Sequence, residues 1–225
     1  SFIKKNKVDI PLNNKKSFLK SKSFFNKKYF LKSNKINLNS LKRWNISSRN
    51  IAHKTKKYFS IIGIEIESNK REVKKWYQPI IRGSKLAFAG FIIKEFNKTE
   101  HYLCRHILKP GSKSSTFTCT ANTSNLDTYK YNIDLTTSQK KIIHKYFINR
   151  RSNILYNNIL SDEGGRFFHS QIRYMACKLK KDENINLPKN YIWLSKNQII
   201  TLIDEQKIDI EARLLFGIVN FKGII

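Results

Sequence analysis

The apolar residues of this chain fall into short periodic runs. In "YFSIIGIEIE" (58–67), Ile62, Ile64 and Ile66 lie on one face and Glu65 and Glu67 on the other, the alternation of a half-buried strand. Two longer apolar runs, "KLAFAGFIIKEF" and "EHYLCRHIL", are separated by "NKT", which predicts a hairpin-like link. Pro110-Gly111 then breaks the chain, and "SSTFTCT" is β-branched and strand-like. The period changes at "LTTSQKKIIHKYFINRR". Thr136 and Gln139 have capping-box spacing ahead of an apolar stripe at Ile142, Ile143, Tyr146 and Phe147, which predicts a helix. "RYMACKL" again alternates. Ser195 and Gln198 repeat the capping signal before "IITLI", and "IEARLLFGIV" predicts a last short helix.

These elements add up to a mixed α+β domain, a curved sheet with two to four helices, over residues 41–225. Residues 1–40 have scattered aromatics and no sustained period, and are expected to form a basic, partly irregular N-terminal arm.

Composition narrows the class. At 225 residues, 40% hydrophobic and 12% aromatic, the chain is expected to be globular with a sizeable core. No apolar run approaches the roughly 18 residues of a membrane span. No apolar segment follows the basic N-terminus as a signal peptide requires, so a cytoplasmic protein is expected. Cys104, Cys119 and Cys177 lack metal-type spacing and read as free buried thiols.

The net charge of +28 raises the question of a polyanionic partner. Residues 1–60 hold 17 lysines and arginines against the single acid Asp9, a charge distribution that would attract nucleic acid or anionic lipid. Lysine, however, outnumbers arginine 34 to 10, and Asn and Ile are also abundant. Those residue types share A/T-rich codons, so genomic bias alone produces the same composition. Nucleic acid is therefore not the expected partner.

No Walker loop, dinucleotide fingerprint, nucleophile elbow or HExxH occurs, and no glutamate cluster is placed to hold magnesium against a diphosphate. Neither a metal nor a redox cofactor is expected. "WYQPII" sets Trp76 and Gln78 beside a rigid proline, either as a packed strand entry or as a platform for a ligand ring. "TANTSN" crowds short hydroxyl and amide side chains into six residues, as phosphate or sugar recognition needs and as polar turns also do.

The densest stretch is "SDEGGRFFHSQIRY" (161–174). Gly164-Gly165 permits positive φ and close backbone approach, and Arg166 offers a planar fork for diphosphate or carboxylate. Asp162 or Glu163, if desolvated, would serve as a general base. The same residues equally suit a tight turn with an acid paired to Arg166.

From Trp44 to Val219 the order of motifs resembles the NDP-hexose 2,3-dehydratase family. The resemblance rests on Trp44 and His53, "WYQPII", Gly90 within "GFIIKEF", "PGS", "TANTSN", "SDEGGRFF", Arg173-Tyr174-Met175, "IWLSKNQIITLI" and "DIEAR". It implies a Nudix-like fold without the Nudix metal box and a dTDP-linked 4-keto-6-deoxyhexose as substrate. The 4-ketone acidifies the C3 proton, a base removes it, and the C2 hydroxyl leaves through an enolate. A partner 3-ketoreductase would then capture the diketo product. The resemblance assigns Arg166 and Arg173 to the diphosphate, Ser124 and Asn125 to phosphate or sugar, and Trp76 and Gln78 to the base or sugar. Asp162, Glu163 and His106 are the proton-transfer candidates. Family members commonly carry two copies of this module, so a homodimer is expected here. Two segments depart from the family pattern. Its Gln-x-Lys-x-Glu-Pro-Gly run reads Arg105-His106-Ile107-Leu108-Lys109-Pro110-Gly111, and its Ser-Pro-Thr reads Thr116-Phe117-Thr118, with Thr118 retained as a substrate contact. A degenerate module that binds nucleotide sugar without turnover remains the alternative, ahead of a nucleic-acid-binding protein that uses the basic arm.

Overall fold

A computed structural model describes residues 9–14, 23, 25–26, 29–56, 58–83, 86–111, 114–132, 135–149, 153–221 and 223. Strands β1 (Trp44–Ile46), β2 (Asn50–His53), β3 (Ser60–Glu67) and β4 (Lys75–Arg82) form an antiparallel sheet in chain order. The alternation in β3 has the expected result. Ile62, Ile64 and Ile66 are partly buried opposite Ile80, Gln78 and Trp76 of β4, while Glu65 and Glu67 are exposed and share Lys75 at 2.9 and 3.1 Å.

The remaining strands build a second sheet, so the single curved sheet expected from the sequence is two. Its order is β11 (Tyr191–Ser195), β6 (Thr99–Ile107), β5 (Ala87–Phe96), β10 (Gln171–Lys178) and β9 (Asn153–Ser161). The sheet is mixed, because β10 runs parallel to β5 and antiparallel to β9. The β5–β6 link is a two-residue hairpin in which Asn97 and Lys98 both take positive φ, 49° and 62°, as a primed turn requires.

Beyond Ile93 and Tyr102, β5 and β6 part, and β7 (Thr116–Thr118) pairs with β6 while β8 (Ala121–Thr123) pairs with β5. The Thr120 hydroxyl spans the divergence: it donates to the Leu103 carbonyl at 2.6 Å and accepts from the Ile92 amide at 2.8 Å. Two buried backbone groups that lost their ladder partners are thereby satisfied.

The large sheet is covered on both faces, so β5 reads as an unbroken apolar run rather than an alternating one. One core layer joins Phe91, Ile93, Tyr102 and Cys104 to helices α2 (Lys196–Asp204) and α3 (Ile210–Phe221). The other joins Phe88, Ile92, Leu103 and Trp193 to α1 (Thr137–Ile142) and the π-helical turns that continue it, Ile143–Ile148. Both capping boxes, Thr136 with Gln139 and Ser195 with Gln198, are formed. Gly90 lies directly under Phe147, where a Cβ would come within 2.7 Å of the ring.

Described pieces of the N-terminal segment lie on this body. Asp9 accepts from the Asn197 amide at 2.7 Å and the Ser195 hydroxyl at 3.1 Å, and Leu12 N–H donates to His101 Nε2 at 2.9 Å. Phe25 is 6% exposed and stacks on His106. No helix among the described residues is long and apolar enough to cross a membrane.

Candidate functional site

The loop after β9 closes on itself before it docks. The Asp162 amide donates to the Ser170 carbonyl at 2.9 Å, the Phe167 amide to the Glu163 carbonyl at 3.1 Å, and Gly165 sits at φ +84°, where a side chain would be strained. The closed loop then lies along β4. The Ile81 amide donates to the Arg166 carbonyl at 3.0 Å, and the Phe168 amide to the Ile81 carbonyl at 2.8 Å, a short parallel bridge between the two sheets. Gln78 adds a side-chain tie. Its Nε2 donates to the Gly165 carbonyl at 2.7 Å while its Oε1 accepts from Trp76 Nε1 at 2.9 Å. "WYQPII" and "SDEGGRFF" are thus one structural unit.

At the far end of that unit is a cleft of about 350 Å³ lined by Arg82, Gly83, Leu86, Phe168, His169, Ser170 and Gln171. Arg82 and His169 supply cationic or polarisable nitrogen, Ser170 and Gln171 supply hydroxyl and amide, and Phe168 and Leu86 supply apolar wall. That mixture suits a polar ligand with an anionic end. His169 holds φ at +50°, a sparsely occupied conformation for a residue with a Cβ. The cleft residues were missed by sequence reasoning, although two signals for them are present. Arg82 follows "WYQPII" directly, and His169, Ser170 and Gln171 lie within the 161–174 motif, downstream of its Gly-Gly turn and acids.

The candidate residues separate into groups. Gln78, Asp162, Glu163 and Arg166 belong to the loop–β4 unit. Glu163 and Arg166 pair with each other at 3.2 Å in the open, a contact worth little in stability. The Asp162 carboxylate accepts the Glu163 amide at 2.8 Å, and no cation among the described residues pairs with it. Trp76 lies farther along β4 with the Arg71 guanidinium 5.7 Å from its ring centre, beside an open apolar hollow shared with Val73. Asn125 is spent on its own turn, its side chain accepting from the Asp127 amide at 3.1 Å, and Ser124 is exposed next to it.

His106 does not join the site. It is 2% exposed, with its ring between Phe25 at 5.1 Å and Phe117 at 4.0 Å, closed off from any ligand that reaches the loop. Thr118 is fully buried in the gap between β6 and β8, and the Arg173 Nε is buried on β10 without a hydrogen-bond acceptor. Lys109, in the segment that departs from the family pattern, is held by Asp209 and Glu211 at 3.0 Å each. Burial pulls its pKa down, but the two carboxylates outweigh that and the net shift is upward. The phenols of the large sheet resist ionisation, because burial pushes Tyr174 up and takes Tyr191 to about 12. Among the described residues no three His, Cys, Asp or Glu side chains gather as metal ligands.

Together these elements form an α+β scaffold with one conspicuous loop–strand unit and a polar cleft. Residues 16–219 match the NDP-hexose 2,3-dehydratase family, and the chain belongs to it. Two relatives are each named dTDP-4-dehydro-6-deoxy-alpha-D-glucopyranose 2,3-dehydratase. That of Streptomyces violaceoruber is 26% identical over 171 residues, which is 76% of this chain and 38% of the relative. That of Saccharopolyspora spinosa is 25% identical over 198 residues, 84% of this chain and 38% of the relative. The chain therefore spans well under half the length of these relatives. Among solved structures, an ADP compounds hydrolase aligns at TM-score 0.45 and 14% identity, over 83% of this chain and 99% of the other. A Nudix hydrolase from M. smegmatis aligns at TM-score 0.40 and 11% identity, over 71% and 95%.

Proposed function

We propose that this chain is a nucleotide-sugar 2,3-dehydratase module acting on a dTDP-linked 4-keto-6-deoxyhexose. The observation that carries the proposal is the joining of the family's two motif segments, through Gln78 and Gly165, beside a polar cleft. Membership of the family and the names of its relatives support this substrate class.

The chemistry then follows from the loop. The ligand's diphosphate lies toward Arg82, with Arg166 swinging from Glu163 to reach it, a small loss because that pair is exposed. Asp162 removes the C3 proton: no cation among the described residues pairs with its carboxylate, and its amide is fixed to Ser170, which lines the cleft. The electron pair moves into the C3–C4 enolate, the C2 hydroxyl departs, and tautomerisation leaves a 3,4-diketo sugar for a partner 3-ketoreductase. We place the module in the cytoplasm as a homodimer. The test is incubation with dTDP-4-keto-6-deoxyglucose, a 3-ketoreductase and NADPH. Formation of the 2-deoxy product supports the proposal, and retention of the C2 hydroxyl defeats it.

A binding module without turnover is the second reading. It is favoured by the internal pairing of Lys109 with Asp209 and Glu211, which leaves that cation no free role. Tight dTDP-sugar binding with no product across several 4-keto sugars would select it.

A further inference from the structure

We propose that Arg105 is the centre of a phosphoryl-binding site on the sheet face where β11, β6 and β7 pair, with Tyr191, Thr118 and Asn122 as its other donors. Arg105 is 6% exposed, and among the described residues no carboxylate pairs with its guanidinium. One Nη donates to Asn122 Oδ1, while the Nε–H is buried with no acceptor. The acids that might have neutralised it, Asp209 and Glu211, are held by Lys109. A guanidinium taken out of water without a counter-charge is an unfavourable arrangement, which an anion bound beside it would offset.

Register supplies the second observation. Tyr191 on β11, Arg105 on β6 and Thr118 on β7 are directly opposite one another in a single row. Residues in such a row project from one face of a sheet. The Tyr191 hydroxyl is also buried without a well-formed hydrogen bond, having only a loose approach to Gln139. Asn122 completes the group through its amide, which reaches the Thr118 hydroxyl at 3.4 Å. The row therefore gathers a phenol, a guanidinium, a hydroxyl and an amide, and no acid. That set is rich in donors and holds no acid, which suits a phosphoryl oxyanion. Asn122 is partly exposed, so the group opens to the surface at its side.

This site is additional to the cleft at Arg82 and His169, and it stands on its own residues whether or not the dehydratase reading holds. The test needs no catalysis. The full chain, in buffer free of phosphate and sulfate, is titrated with inorganic pyrophosphate and, separately, inorganic phosphate, with calorimetry and melting temperature as readouts. Saturable binding with a rise in melting temperature is expected. Arg105→Gln should weaken it by about ten-fold or more, as loss of a charge-assisted hydrogen bond implies. Tyr191→Phe should weaken binding several-fold, yet without pyrophosphate it should melt close to the parent, since the hydroxyl it loses makes no well-formed hydrogen bond. Absence of saturable binding overturns the proposal. So does binding undiminished in Arg105→Gln, or binding lost in Arg82→Gln instead, which would place the anion in the motif cleft. If Arg105→Gln does not fold, Tyr191→Phe decides the matter, and undiminished pyrophosphate binding there overturns the proposal equally.

Discussion

The Gln78 side chain donates to the Gly165 carbonyl at 2.7 Å across 87 positions of sequence, and the same amide is held from behind by Trp76. The indole thus sets the orientation of the amide, and the amide sets the position of the loop. Gln78→Ala should lower the unfolding free energy by about 1 kcal/mol, one neutral hydrogen bond. Faster amide exchange should appear over residues 162–168. Unchanged exchange there would show that the Ile81 backbone contacts hold the loop alone.

The three proton-transfer candidates now differ in their surroundings. Glu163 is paired, His106 is sealed between two rings, and among the described residues no cation pairs with Asp162. Asp162→Asn should abolish 2-deoxy product formation while leaving dTDP binding within about two-fold, since the amide keeps the shape and can still accept from Glu163 N–H. Surviving turnover would make Asp162 structural and move the assignment to Glu163.

Gly90→Ala tests the packing above β5. Its new Cβ would meet Phe147 and Phe88 ring atoms at 2.7 Å, in a layer where Phe88 is 1% and Phe147 2% exposed. A loss of about 1–3 kcal/mol is expected in urea unfolding. Adding Phe147→Leu should recover part of it; if the double variant is no more stable than the single one, the steric account fails.

His101 makes stability depend on pH. It is fully buried, with Nδ1 2.9 Å from the Thr99 carbonyl and Nε2 accepting from the Leu12 amide, so only the neutral ring fits. Burial lowers its pKa below the usual 6.5. Between 6.5 and the lower folded value the unfolded chain holds the extra proton, so stability falls as pH drops through that window and is fully present above it. Melting curves from pH 7.5 to 5 should show the decline, and His101→Gln should flatten it.

Much of the fold is legible from residue order. Ile62, Ile64 and Ile66 declare their strand because one face is partly covered and the other wet. The two capping boxes are readable because each needs only a hydroxyl and an amide three residues apart. Strand β9 is not readable, since Asn157 and Asn158 interrupt its apolar pattern and its identity comes from pairing with β10. Nor is the division into two sheets, because no local pattern tells that β4 pairs only with β3 while β5 pairs with β6 and β10. Gly164-Gly165 is legible as a turn, and the chain does turn there, with Gly165 at φ +84°. His106 misleads because its environment is set by Phe25, 81 positions earlier, a contact with no local signature. Arg105 is visible only as one of ten arginines, and its burial cannot be inferred without the row it shares with Tyr191 and Thr118.

Thr120 shows that a side chain can serve as a length of main chain. Where β5 and β6 separate, its hydroxyl stands in for the missing peptide group, giving one strand a donor and the other an acceptor. Valine has the same outline and would be ranked a mild exchange by size, yet it would silence both contacts at once. At the point where this sheet branches, one oxygen atom does the work of two missing ladder partners.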